Sequence, residues 1–174
     1  FEQVFYYRKV KFKYGLNIES NRYNVNHWSV VGNRNGIDTL DYSGILSFMN
    51  YGGFLSASKG LFHENLMVSV GFRSDASTYS NETKKIMPQL SPRIGLSYRL
   101  STRLSLNANY GIYYQLPPYT LLGFMENNAF YNRSTLKYIE CSQSALGLEY
   151  TNHKDFKFST EAFYKEYSDY PFLL

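Results

Sequence analysis

The sequence predicts an all-β chain, an antiparallel meander of about seven long strands able to cross a bilayer. Three observations predict it. In the clearest pair of strands, within residues 89–115, apolar side chains recur at every second position over arms of roughly 11–13 residues. That is about twice the usual ~5–6 of a globular strand and near the ~10 that cross a membrane at a tilt. The connections alternate long and short, which in a meander gathers the long ones at one end. Finally, 18 Tyr and 13 Phe among 174 residues favour strands and the boundary between oil and water.

Residues 1–7 are aromatic-rich and are read as the end of an earlier strand. From Val10 to Ile18 the apolar residues Val10, Phe12, Tyr14, Leu16 and Ile18 share one parity, and Lys11, Lys13, Gly15 and Asn17 the other. A helix would not keep all five apolar residues at even positions. Residues 20–44, rich in Asn, Gly, Asp and Ser, are expected to form a long connection with a tight turn at Asn33-Arg34-Asn35-Gly36. Residues 45–58 are expected as a glycine-rich strand bulged or bent at Gly52-Gly53. A short connection leads to the strand of Leu66, Val68, Val70 and Phe72, and a polar connection spans residues 74–88.

The clearest hairpin follows. Ile94, Leu96, Tyr98 and Leu100 alternate with Arg93, Gly95, Ser97 and Arg99. After a turn at Ser101-Thr102, Leu104, Leu106, Ala108, Tyr110, Ile112 and Tyr114 alternate with Ser105, Asn107, Asn109, Gly111 and Tyr113. Pro117-Pro118 ends that strand, because proline cannot donate to the ladder. A connection to about Tyr138, a strand over residues 140–151, a turn at Asn152-His153-Lys154 and a strand over residues 156–165 complete the pattern, with residues 166–174 as a tail. The chain opens and closes within this rhythm, so it is expected to be a piece of a longer protein.

The totals exclude several classes. The net charge of +4 is spread without a run of like charges, which argues against nucleic acid. No stretch of about 18 apolar residues makes a transmembrane helix, and residues 1–14 lack the pattern of a signal peptide. The mean hydropathy of −0.39 does not oppose a barrel, whose strands expose every second residue to water. Cys141 has no partner for a disulfide or a metal spacing. His27, His63 and His153 fall in three separate connections, so no shared metal site is expected. Asp38 and Asp41 with Asn33 and Asn35 fit a turn better than a calcium loop. No nucleophile triad, phosphate loop or dinucleotide motif is present, so the chain is not expected to be an enzyme or to hold a cofactor. Two sequons, Asn81-Glu82-Thr83 and Asn132-Arg133-Ser134, are short enough to arise by chance.

The hairpin SPRIGLSYRL…LSLNANYGIYYQLPPY and the later LKYIECSQSALGLEY and FSTEAFYKEYSDYP resemble, in order and spacing, the barrel of TonB-dependent outer-membrane receptors. The resemblance is specific over residues 89–171, and residues 1–88 fit by strand rhythm. It implies that residues 1–174 are an arc of a large barrel of about 22 strands in the outer membrane of a Gram-negative bacterium. It implies a plug domain and the TonB coupling protein as partners through other parts of the chain, lipid around the wall, and it admits a surface lipoprotein. The function so implied is uptake of a nutrient too large for porins. The alternative is a soluble or surface-exposed β-sheet binding module whose apolar face packs on a second sheet; a third option is a diffusion porin.

On the receptor reading Arg93, Arg99, Asn107, Asn109 and Glu149 face the lumen, with Lys11, Lys13, Arg73 and Glu161. Tyr6, Tyr7, Tyr98, Tyr110, Tyr114, Tyr150 and Tyr164 form interfacial girdles or pack across strands. The expected ligand contacts are the aromatics of the outer connections: Trp28, Tyr119, Phe124, Phe130 and Tyr131.

Overall fold

The structure, a computed structural model, describes residues 1–33, 36–126, 129–152 and 156–171. In order the chain forms β1 (Glu2–Tyr7), β2 (Val10–Asn33), β3 (Gly36–Leu61), β4 (Leu66–Ser77), β5 (Ser91–Arg99) and β6 (Leu104–Gln115). There follow one helical turn, α1 (Tyr119–Leu122), a miniature hairpin of β7 (Met125–Glu126) and β8 (Ala129–Phe130), and then β9 (Ile139–Thr151) and β10 (Lys157–Ser168). Eight strands make one sheet in the order β1-β2-β3-β4-β5-β6-β9-β10. Every neighbouring pair is antiparallel. The predicted meander is therefore present, with β1 as its eighth strand. The sheet is open, and β1 and β10 are its two edges.

The register carries the alternation across the sheet. Phe12 lies opposite Phe5 and Ala57. Val70 lies opposite Ala57 and Ile94, Tyr110 opposite Ile94 and Ser144, and Leu148 opposite Leu106 and Thr160. One face is thus apolar over its lower part. On β2 it runs from Val10 to Ile18, then turns polar at Ser20, Arg22, Asn24 and Asn26. About nine residues rising about 3.3 Å each, tilted by about 40°, climb about 23 Å, close to the roughly 25 Å apolar band of membrane barrels. Among the described residues no second sheet covers this face: Leu16 is 64% exposed and Ile18 73%, and even central Leu96 is 42% exposed. The packed-sandwich alternative requires the reverse.

Three expectations are corrected. Residues 20–44 are not a connection but the distal halves of β2 and β3, which pair without interruption from Val10↔Lys59 to Asn33↔Gly36. Past the apolar band each strand runs on for about fourteen residues, a ribbon about 45 Å long. The ladder's last pair is Asn33↔Gly36; the turn foreseen there falls on Arg34 and Asn35, which lie outside the described residues. So do His153, Lys154 and the side chains of Asn33 and Asp38, and with them the calcium-loop and final-turn readings. No bulge forms at Gly52-Gly53, since both ladders of β3 keep their register through it. A Cβ at Gly52 would collide with the Asp75 carboxylate and lie 2.8 Å from the Ser74 carbonyl oxygen. The glycine thus makes room for the paired strand. Finally, β4 extends to Ser77 and β10 to Ser168, beyond the ends expected for them.

The ends segregate as foreseen. The turns at Arg8-Lys9, residues 62–65 and residues 100–103 lie at one end, and the connections 78–90 and 116–138 at the other. Arg8 and Lys9 both have positive φ (47° and 63°), as a two-residue hairpin turn matching the sheet twist requires.

Two predictions follow from the register. In the full-length protein Leu106→Arg should impair barrel assembly, at a cost of about 2–4 kcal/mol if it meets lipid. Asn107→Arg, one residue along, should assemble normally on the same heat-modifiability gel, and equal tolerance would contradict the facing. Gly52→Ala should lower stability by about 1–3 kcal/mol through overpacking. Gly32→Ala, where a Cβ meets nothing within 4 Å, should leave the denaturation midpoint unchanged.

Candidate functional site

The long connections do not stand free. They fold onto the face of the distal β2–β3 ribbon that bears Tyr23, Val25, Tyr42, Leu46 and Phe48. There Leu46, Phe48, Tyr79, Leu122 and Leu136 form a buried cluster, with Tyr23, Leu116 and Phe130 packed against it. Its rings meet at angles that favour attraction. Phe48 is edge-on to Tyr79 and to Tyr119, with centroids 5.9 and 5.6 Å away, and Tyr23 lies 5.6 Å from Tyr119.

Local chemistry explains the path. Pro117-Pro118 stops β6, and the Pro118 carbonyl accepts from the Leu121 and Leu122 amides at 2.9 and 3.2 Å, opening α1. A Cβ on Gly123 would lie 2.5 Å from a Val25 methyl carbon, so glycine lets the turn lie flat on β2. The Tyr79 hydroxyl donates to the Leu122 carbonyl at 2.8 Å. The Ser80 hydroxyl donates to the Leu136 carbonyl, also at 2.8 Å. These bonds staple the 78–90 and 116–138 connections together. The Tyr119 hydroxyl donates to Asn21 Oδ1 at 3.0 Å and the Asn132 amide to the Leu121 carbonyl at 2.9 Å.

Between the ribbon and α1 a groove of about 530 Å³ remains, lined by Tyr23, Val25, His27, Leu40, Tyr42, Leu121 and Phe124 among others. His27 stacks on Tyr42 at 5.1 Å and hydrogen-bonds Ser29 at 3.0 Å. Phe124 stands edge-on to Tyr42 at 5.8 Å and to Tyr131 at 6.0 Å. Burial, and then the neighbouring Tyr23, raise the Tyr42 pKa above its ordinary value, so that hydroxyl stays protonated.

Four of the five aromatics singled out in sequence therefore gather: Tyr119, Phe124, Phe130 and Tyr131. Trp28 does not join them. It lies opposite Asp41 on the other face of the ribbon and is 67% exposed. Sequence reasoning missed Tyr23, His27, Tyr42, Phe48 and Tyr79 as companions. The period-two spacing of Tyr23, Val25 and His27 was the available signal, obscured by intervening Asn residues.

Lower on the same face, Arg93, Arg99, Asn107, Asn109 and Glu149 share one side of the sheet, since Arg99 and Glu149 both lie opposite Ser105, and Arg93 opposite Gly111. Tyr113 and Phe163 share it. Arg93 lies 4.4 Å from the Tyr113 ring centroid. Arg73 pairs with Asp75 at 2.5 Å, Lys13 with Glu2 at 3.0 Å and Lys157 with Glu149 at 2.9 Å. A cavity of about 370 Å³ opens beside Lys13, Phe54, Arg73 and Arg93. Among the described residues no three His, Cys, Asp or Glu side chains gather as a metal site.

Burial raises the Tyr79 pKa to about 12, with Arg133 pulling the other way. The folded loops then hold the proton more tightly than the unfolded chain, whose tyrosine titrates near 10. Their docking should be unaffected below about pH 10 and weaken as pH rises from there toward 12. Limited proteolysis of the connections should show this loss in the wild type. In Tyr79→Phe the connections should already be looser at neutral pH, by about 1–3 kcal/mol for the orphaned Leu122 carbonyl, with a smaller change over the alkaline range.

Comparisons with known proteins agree with this architecture. The model of the family described as "TonB dependent receptor-like, beta-barrel" matches residues 2–174. Among solved structures, the sheet superposes on "Copper transporter OprC" with a TM-score of 0.61 at 18% identity, over 88% of this chain and 26% of that one. It also superposes on OmpT, an outer membrane protein of Vibrio cholerae folded in vitro, with a TM-score of 0.57 at 12% identity, over 95% of this chain and 44% of that one. No curated protein sequence matches. The chain spans about a quarter of the first structure's length and less than half of the second's. Its apolar band, its segregated connections and the family match over nearly its whole length together identify the chain as a member of the TonB-dependent receptor β-barrel family, a protein of the bacterial outer membrane.

Proposed function

We propose that the chain is part of a receptor that captures a nutrient too large for porins at its loop end and passes it inward through the barrel. The observation that carries this reading is the pairing of an uncovered apolar band with long connections at one end, where they enclose a groove. The band is the wall in lipid. The distal ribbon and the 116–138 connection are the capturing surface, with Tyr119, Phe124, Phe130 and Tyr131 as its aromatics. Trp28, on the ribbon's other face, offers a second contact.

On this reading residues 1–174 are one part of a barrel domain. Arg93, Arg99, Asn107, Asn109 and Glu149 line its lumen and meet a plug domain, which the TonB protein moves to admit the cargo. The chain contributes shape and binding rather than bond chemistry. Copper, the cargo named for OprC, would meet a single imidazole, His27, among the described residues that line the groove, with no thiolate, thioether or carboxylate beside it.

Deleting the coding gene should abolish uptake of one nutrient in growth tests on single nutrients, and deleting the TonB coupling protein should abolish uptake of that same nutrient. Uptake that needs the gene but not TonB would make the barrel a diffusion pore instead.

A further inference from the structure

We propose that the groove between the β2–β3 ribbon and α1 binds a neutral glycan, which makes the cargo class an uncharged oligosaccharide; this rests on the receptor reading above. The size fits. About 530 Å³ falls within the range of roughly 300–1,000 Å³ typical of small-molecule sites.

The chemistry of the lining narrows the ligand. Among the described lining residues none carries a fixed charge. A charged ligand would leave water without a counter-ion, a costly step in a partly desolvated groove. The polar basin nearby is separate: Lys84 and Arg133 line another cavity with Thr78, Ser80 and Ser134. A purely apolar ligand fits no better. Tyr23, Tyr42 and Thr120 bring hydroxyls and His27 a ring nitrogen, and covering these without partners costs free energy. The aromatic walls complete the description. Tyr42, already stacked on His27, meets Phe124 nearly at right angles, 80° between ring planes. Rings set at a corner give the groove apolar walls against which a flat, weakly polar body can pack. A sugar ring supplies both halves of this match: a face of C–H groups for stacking and a rim of hydroxyls for the donors and acceptors. The Tyr42 hydroxyl, like any tyrosine's, is a donor throughout the neutral range.

The test uses the full-length receptor in detergent, with saturation-transfer NMR and tryptophan fluorescence as readouts. The probes are neutral malto-, xylo- and chito-trisaccharides, with an oligogalacturonate and a chitosan oligomer as anionic and cationic controls. At least one neutral trisaccharide should bind and both charged oligomers should not. Tyr42→Ala should weaken that binding by about tenfold or more, the loss of one stacking and hydrogen-bonding ring. Val30→Ala, on the other face of the ribbon and 52% exposed, should leave it unchanged. Heat-modifiability on gels confirms that each variant is a folded barrel. Binding of a charged oligomer alone, no binding of any neutral probe, or binding indifferent to Tyr42→Ala would each overturn the glycan assignment. Those outcomes leave TonB-dependent uptake of some other nutrient untouched, so failure here is distinguishable from failure of the receptor reading.

Discussion

The constraint on which the structure depends is that a strand in lipid must satisfy its backbone by pairing and its side chains by alternating. Hydrocarbon offers no hydrogen bonds, so every amide and carbonyl at that depth needs a neighbouring strand. Pairing fixes two faces, and only one of them touches lipid. For about nine residues on β2 the lipid side carries no charge, and the ionic residues Lys13, Arg73 and Arg93 fall on the other parity. The register then transmits this choice from strand to strand, because a slip by one residue would exchange the faces. It also explains why so little of the sheet is buried: its partner is the bilayer, not another layer of protein.

The buried cluster lies elsewhere. Leu46, Phe48, Tyr79, Leu122 and Leu136 sit at the loop end, above the apolar band. A two-stranded ribbon alone is marginal in water. The 78–90 and 116–138 connections cover one of its faces and give it a small aqueous core. The molecule thus uses the hydrophobic effect twice, against lipid along the wall and against its own loops outside. The groove is what remains where that second packing is incomplete.

Much of this was legible in the sequence. Strict alternation around Leu104–Gln115 and Ser91–Arg99 placed those strands and their faces, since period two leaves no helical interpretation. The open face and the grouping of long connections also followed from parity and order alone. The distal ribbon did not. Its Asn, Ser and Gly residues prefer turns, and intrinsic preference was overruled by an unbroken ladder and by packing against the loops. Gly52-Gly53 misled for a related reason: glycine there serves close approach to Asp75 rather than a change of register. The gathering of Tyr119 and Phe124 with Tyr23 and Tyr42 depends on contacts between residues about a hundred positions apart, which alternation does not encode.

The central claim is that alternate residues of β6 face lipid and lumen. Nitroxide labels placed singly from position 104 to 114 of the full-length receptor, reconstituted in bilayers, test it most directly through collision with oxygen and with a water-soluble nickel chelate. The account predicts that even positions collide preferentially with oxygen and odd positions are comparatively shielded from it, in a period of two. Even positions shielded from oxygen, or a profile without that period, would contradict it.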